Sequence, residues 1–297
     1  MRHGLIQNFC VLSLIYLLAG CSMAIDSFSN NLNKAVMSNN DSQTVMQGLP
    51  AYLILLDGFI ESDPEDEDLL FASAKLLNAY AGLIGTQIVL MGDDDDLQKQ
   101  ILIIQQRKLI NKAFERSVKA ICIYDDDYCG LNTIKYSEFK NRLKDFDEDD
   151  IGMLYNLGTA WASWLQMNTD DWNATAQLPQ IKLIMETVIQ LDEKWQNAGA
   201  HMYMGVLNSI LPATLGGKPE TGKMHFESAI KLTNGNNLMA KVLYAEYYAR
   251  LMFDKKLHEE LINDILTAEN KQTNLTLLNT LAKQKAKALQ ARAEDYF

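Results

Sequence analysis

AGAHMYMGVLNSILPATLGGKPETGKMHFESAIKL, residues Ala198–Leu232, decides the fold. It reads as two helices packed as a hairpin, joined by a connector that carries Pro212, Gly216 and Gly217. Small residues stand where two helices must approach closely: Gly205 on the first, Gly222 and Ala229 on the second, with bulky Phe226 between the latter two. The pattern Gly222-x-x-x-Phe226-x-x-Ala229 has the spacing of the second helix of a tetratricopeptide repeat, where a small residue, an aromatic and an alanine interlock with the first helix. One such hairpin cannot bury its apolar faces alone, so neighbours of the same kind are expected. The connector Leu211–Glu220 is longer than a standard repeat turn, which makes this a modified unit.

The neighbours can be found by working outward. Ile151–Leu165 reads as the first helix of a repeat, with Leu154, Leu157 and Trp161 falling around Gly158 where such repeats place packing residues, and Leu178–Leu191 follows as its partner. On the other side Asn237–Phe253 pairs with Leu257–Leu266, and Thr276–Ala293, polar on one face, suits a terminal capping helix. Upstream, Leu69–Met91 and Leu97–Tyr124 form a first hairpin, the second helix broken near Lys108. Before them lies Val45–Ile60, in which Pro50 is expected to start a new helix at its first turn. A first short helix is expected around Leu32–Met37, and short helices at best within Asp125–Asp150. Strand alternation of period two is hard to find anywhere, so the chain is expected to be all-α: one domain over 41–297, built of tetratricopeptide-like helical hairpins as an α-solenoid.

The first 20 residues read as a targeting segment. Arg2 and His3 precede a mostly apolar run from Phe9 to Ala19, too short for a membrane span of about 20 residues. Leu18-Ala19-Gly20-Cys21 resembles the bacterial lipoprotein signal, which implies cleavage before Cys21 and acylation of its thiol. An ordinary secretory peptide or an uncleaved anchor is the alternative. Ser22 stands where an Asp would resemble the inner-membrane retention signal, so the periplasmic face of the outer membrane of a Gram-negative cell is the expected location. Residues 21–40 read as a polar tether.

With 38 acidic against 27 basic residues and no basic stripe, the chain is not expected to bind nucleic acid. Asp170 and Asp171 are adjacent, but neighbours on one segment seldom converge on one bond, and Asp171 before Trp172 and Asn173 fits a helix cap. Gly216-Gly217-Lys218 fails as a phosphate loop, because Pro212 stands where the first Gly belongs and Pro219 where Ser or Thr should follow. Asp145, Asp147 and Asp149 begin like a calcium loop, which Asp150 breaks at the turn position and Asn156 at the last. His201, His225 and His258 lack ligand spacing, so no metal is expected, nor any cofactor or catalytic residue. Behind a signal sequence the compartment is oxidising, which allows Cys122 and Cys129 to close a local disulfide; the alternative is two buried or free thiols.

Gly48-Leu49-Pro50-Ala51-Tyr52, Trp161-Ala162-Ser163-Trp164, Asp170-Asp171-Trp172-Asn173-Ala174, Leu215-Gly216-Gly217-Lys218-Pro219-Glu220, His225-Phe226-Glu227 and Tyr248-Ala249-Arg250 together resemble the T component of TRAP transporters associated with tetratricopeptide proteins. The resemblance implies a periplasmic lipoprotein of helical repeats with a central cavity. It also implies pairing with the solute-binding P component of a secondary importer of organic acids or other small, often apolar, ligands, and assembly as a homo-oligomer, a trimer. On this reading Trp161, Trp164, Asp171, Trp172, Asn173, Lys218 and Arg250 are the candidate ligand residues. Counted from the small positions, the groove is lined by Phe71, Lys75, Asn78, Tyr155, Thr159, Ala162, Met202, Val206, Glu246 and Arg250, which suits a small apolar ligand with one polar end. Arg250 is the natural anion partner or the member of an internal salt bridge, and the tryptophans wall the cavity or fill the core. The rival reading is an outer-membrane repeat scaffold that organises envelope proteins without a ligand.

Overall fold

The computed structural model describes residues 32, 34–92 and 97–297. Cys21 and the targeting segment lie outside them, and residues 34–37 are helical. Asp41 starts α1 (Ser42–Ser62) by accepting the backbone N–H of Gln43 and Thr44. Pro50 does not begin a helix but sits inside this one. An internal proline forfeits a hydrogen bond at a cost of about 3 kcal/mol, offset here by Val45, Leu49 and Leu53 packing as one buried stripe. Asp66 caps α2 (Glu67–Leu90) through Leu69 N–H, and the acidic first turn suits the positive end of the helix. α2 is long and apolar enough to cross a membrane, yet it packs against four other helices. α3 (Leu97–Tyr124) runs unbroken past Lys108.

A short stretch follows, with α4 (Tyr136–Arg142) and a disulfide joining Cys122 to Cys129. Two carboxylates of the Asp145–Asp150 run serve the chain itself: Asp150 accepts from Tyr124 Oη at 2.7 Å and from Asp147 N–H, and Asp147 accepts from Asp149 N–H. Then come α5 (Ile151–Met167), the single turn α6 (Trp172–Thr175), α7 (Leu178–Leu191), α8 (Trp195–Ser209), α9 (Pro219–Leu232), α10 (Leu238–Leu243), α11 (Lys255–Thr267) and α12 (Thr276–Ala291). Two irregularities escape local sequence patterns. Gln196, Asn197 and Ala198 are left-handed at φ 49, 58 and 60°, which costs roughly 1–2 kcal/mol per residue. α10 widens into a π-helix over Tyr244–Ala249.

The long helices form two concentric layers. α2, α5, α8, α10 and α12 make the inner one, and α1, α3, α7, α9 and α11 each lie outside, between two inner neighbours. Cross-links fix the directions. Asn156 reaches the carbonyl of Phe71 and Lys285 pairs with Glu246 at 3.0 Å, whereas Lys182 meets Asn208, and Tyr244 and Tyr248 meet Glu227 and Glu220. The inner helices therefore run parallel, and their C-terminal ends share one rim. α12 is no free cap. It buries Leu277, Ala282, Ala286 and Leu289, packs on α2, and bonds to α1 from Gln284 to Ser42, which closes the layer into a ring.

The α8–α9 hairpin shows why the ring holds. A Cβ on Gly205 would fall 2.5–2.7 Å from three ring atoms of the fully buried Phe226. A Cβ on Gly222 would strike Ser209 Oγ and stand 2.8 Å from the Gly205 carbonyl. The glycines are thus required by close approach, which lets the aromatic ring lie flat on the facing backbone. Similar packing joins Gly158 on α5 to Ile184 on α7, where a Cβ would come within 2.6 Å.

Candidate functional site: the inside of the ring

α2 is covered by α1, α3, α5 and α12, and its remaining open stripe is Lys75, Ala79 and Gly82. Residues 71, 75 and 78 share a helix face. Phe71 and Asn78 turn toward α5 and α8, where Asn78 and Ser163 hydrogen-bond Tyr203, so Lys75 points into the ring. Its side chain keeps exposed surface, while burial lowers its ammonium pKa. Among the described residues Lys75 has neither an ion pair nor a hydrogen bond.

Around Lys75 the wall is aromatic and polar. Tyr155 and Tyr203 meet edge to face at 6.2 Å, and on the far side Gln166 bonds Tyr247 at 3.4 Å. Burial raises the Tyr155 hydroxyl and pushes those of Tyr203 and Tyr247 up to about 12, so all three are neutral donors. Glu246 is neutralised by Lys285, both largely covered. The lone cation of Lys75 is left uncompensated within a chain of net charge −11. Lys75 is thus a positive charge set among neutral tyrosine hydroxyls. The two clefts on the outside, about 430 and 370 Å³, are lined by different residues, among them Asp57 with Arg116 and Asn197 with Thr273.

Most of the seven residues expected to hold a ligand lie elsewhere. Trp161 is a core residue: it is fully buried against Phe114 and Phe139, and its indole N–H donates to Gln177 at 2.8 Å. Trp164 stacks on Phe114 at 5.2 Å. Asp171 caps α6 by accepting Asn173 N–H at 2.8 Å, with Asn173 exposed, and Trp172 stands 87% exposed on the same turn. Lys218 is exposed at the start of α9. Arg250 stacks on Tyr296, 3.3 Å from the ring centroid, a cation–π contact in place of the expected choice between ligand and salt bridge. The signal that does point inward is the register of the groove-facing positions Lys75, Asn78, Tyr155 and Glu246.

His201 and His225 do meet, Nδ1 to Nδ1 at 2.9 Å, which requires at least one neutral ring. Burial, then the charges of His201 and Lys182, push His225 down to about 4, and burial also lowers His201. Unfolded, His225 protonates near 6.5, so unfolding takes up a proton below that pH. The pair should leave stability unchanged above about pH 6.5 and erode it as pH falls toward 4, with His225 alone removing about 2 kcal/mol by about pH 5. Urea denaturation across this window checks the slope, which His225→Gln should flatten.

The geometry defines a class: among the described residues, an all-α protein whose helical hairpins close into a ring. Residues 38–297 match the family of TRAP transporter T-components, and the chain belongs to that family. It is thereby an accessory component of TRAP transporters, associated with their other components. A search of curated proteins finds no relative.

Proposed function

We propose that the chain is a lipid-anchored, periplasmic TRAP accessory protein, anchored through Cys21, that binds a small organic acid or amphiphilic anion inside its ring and docks the soluble solute-binding component. The ring is then a tetratricopeptide-like solenoid closed on itself, and the protein performs no chemistry of its own. A transporter-component family supports that non-catalytic reading. The observation that carries the ligand assignment is Lys75, which among the described residues has no ion pair or hydrogen bond, on the groove-facing side of α2 near Tyr155, Tyr203 and Tyr247.

The test is to purify the mature protein from its own envelope, identify co-purifying small molecules and solute-binding protein by mass spectrometry, and titrate the extracted molecule back. Lys75→Met should weaken binding about 10- to 100-fold, the range for losing one charge-assisted contact, whereas Arg250→Ala should leave affinity unchanged. A neutral ligand, or full affinity in Lys75→Met, would remove the anion assignment. Recovery of scaffold partners with an empty ring would favour the envelope-scaffold reading.

A further inference from the structure

Both rims of the ring carry acidic connectors, with Asp93–Asp96, Asp170, Asp171 and Asp254 at the one formed by the C-terminal ends of the inner helices, and they differ in their apolar tips. At the rim formed by the N-terminal ends of the inner helices, the connectors carry Asp63, Asp66, Asp125–Asp127, Asp145–Asp150 and Asp192 with Glu193. The opposite rim is apolar at its tips. Of the five most exposed large apolar side chains among the described residues, four belong to it: Leu97 at 74%, Trp172 at 87%, Leu215 at 68% and Phe253 at 78%. They stand at the start of α3, the start of α6, the turn after α8 and the turn after the π-helix, each just past the end of an inner helix, so a pattern is repeated around the ring. The fifth, Ile54 at 72%, lies on the outside of α1.

The chain preceding the fold joins at this same rim. α1 runs antiparallel to α2, so Asp41 and Ser42 sit beside the C-terminal ends of the inner helices, with Ser42 held by Gln284. Residues 34–37 are helical and Val36 packs on the core beside Val45, so about 12 residues lie between Cys21 and the fold, a reach of at most about 45 Å. The tether thus delivers the fold to a bilayer with its apolar tips on the side where the anchor attaches.

We propose that this rim seats on the phospholipid surface, with Trp172, Phe253, Leu215 and Leu97 immersed at the headgroup level. The proposal rests on the lipid-anchored reading above. Indole and phenyl rings are favoured at that depth, where one end of the side chain is apolar and its surroundings are wet. The seat is apolar rather than electrostatic: Asp170 and Asp171 flank Trp172, and the sequence places Asp93–Asp96 in the connector before Leu97. Carboxylates beside an anionic surface are repelled, so binding should weaken as anionic lipid increases and recover with salt, the reverse of a basic membrane patch.

The mature, acylated protein is reconstituted in vesicles of phosphatidylethanolamine and phosphatidylglycerol bearing brominated acyl chains near the headgroup. Trp161 is sealed in the core and Trp164 and Trp195 are partly covered, so bromine should quench Trp172 selectively, removing about a quarter of the emission from the four tryptophans. Trp172→Phe should float with the vesicles equally well and lose that quenching. Wild-type protein that floats yet shows no quenching, or equal quenching in Trp172→Phe, overturns the seat while leaving the anchor standing. Protein without acyl chains by mass spectrometry removes the anchor, and excess vesicles then test the seat directly by the same quenching difference. If Trp172 ignores bromine but shifts to the blue on adding the solute-binding component, the rim is a protein-docking surface and the lipid proposal is wrong.

Discussion

Phe226→Ala should destabilise the protein by about 3–5 kcal/mol, the range for emptying a fully buried aromatic site. The ring of Phe226 lies on the Gly205 backbone and stacks with Tyr244 at 5.4 Å, so one truncation loosens the contact between α8 and α9 and that between α9 and the π-helix. The site cannot collapse easily, because Gly205 offers no side chain to fill the space. Gly205→Val attacks the same contact from the other side. Its added carbons would overlap the Phe226 ring, and the two helices would have to separate. Urea denaturation of both variants should show a comparable loss, and the double variant should lose less than the sum, since the valine could occupy part of the vacated volume. Strict additivity would mean that the two groups are not the interlocking pair described.

Trp161→Ala should cost a similar amount, about 3–5 kcal/mol, without touching the ligand. The indole is fully buried between Phe114 of α3 and Phe139 of α4, and its N–H satisfies Gln177. Truncation therefore leaves both a cavity and an unmatched amide oxygen between three helices and a connector. A ligand-wall tryptophan behaves in the opposite way, with affinity falling while the denaturation midpoint holds. Denaturation together with titration of the co-purified molecule separates the two. A stable variant with lost affinity would return Trp161 to the site.

These cases show which parts of the architecture could be read along the chain. The α8–α9 hairpin was legible because its determinants, Gly205, Gly222, Phe226 and Ala229, are close in sequence and meet through one turn. Leu178–Leu191 was legible to the residue for the same reason. Pro50 misleads because local propensity favours a helix start there, while the stripe of Val45, Leu49 and Leu53 against α2 outweighs it. The π-helix and the left-handed turn at Gln196–Ala198 arise from tertiary packing and leave no local mark. Composition suggested a cap for α12, since its partners on α1 and α2 lie some two hundred residues upstream.

The site divides in the same way. Helical periodicity says that Trp161 faces inward, but not whether inward means between the layers or into the ring. Register from the small positions placed Lys75 in the groove, whereas its lack of a carboxylate partner emerges only when every surrounding helix is in place. Trp172 reads from the sequence as a cavity wall or a core residue, and stands in solvent because its turn lies beyond the end of α5.

The bond from Gln284 to Ser42 joins positions 242 residues apart. An open array of hairpins can lengthen, shorten or fray at its ends, and each repeat contributes nearly independently. A closed one has no ends to fray: the first helix lacks its cover until the last has been made. Its formation must therefore wait for the most distant contact in the chain, which slows folding. Once closed, its hairpins are bound to melt together, and evolution cannot add or delete a repeat without reopening the circle.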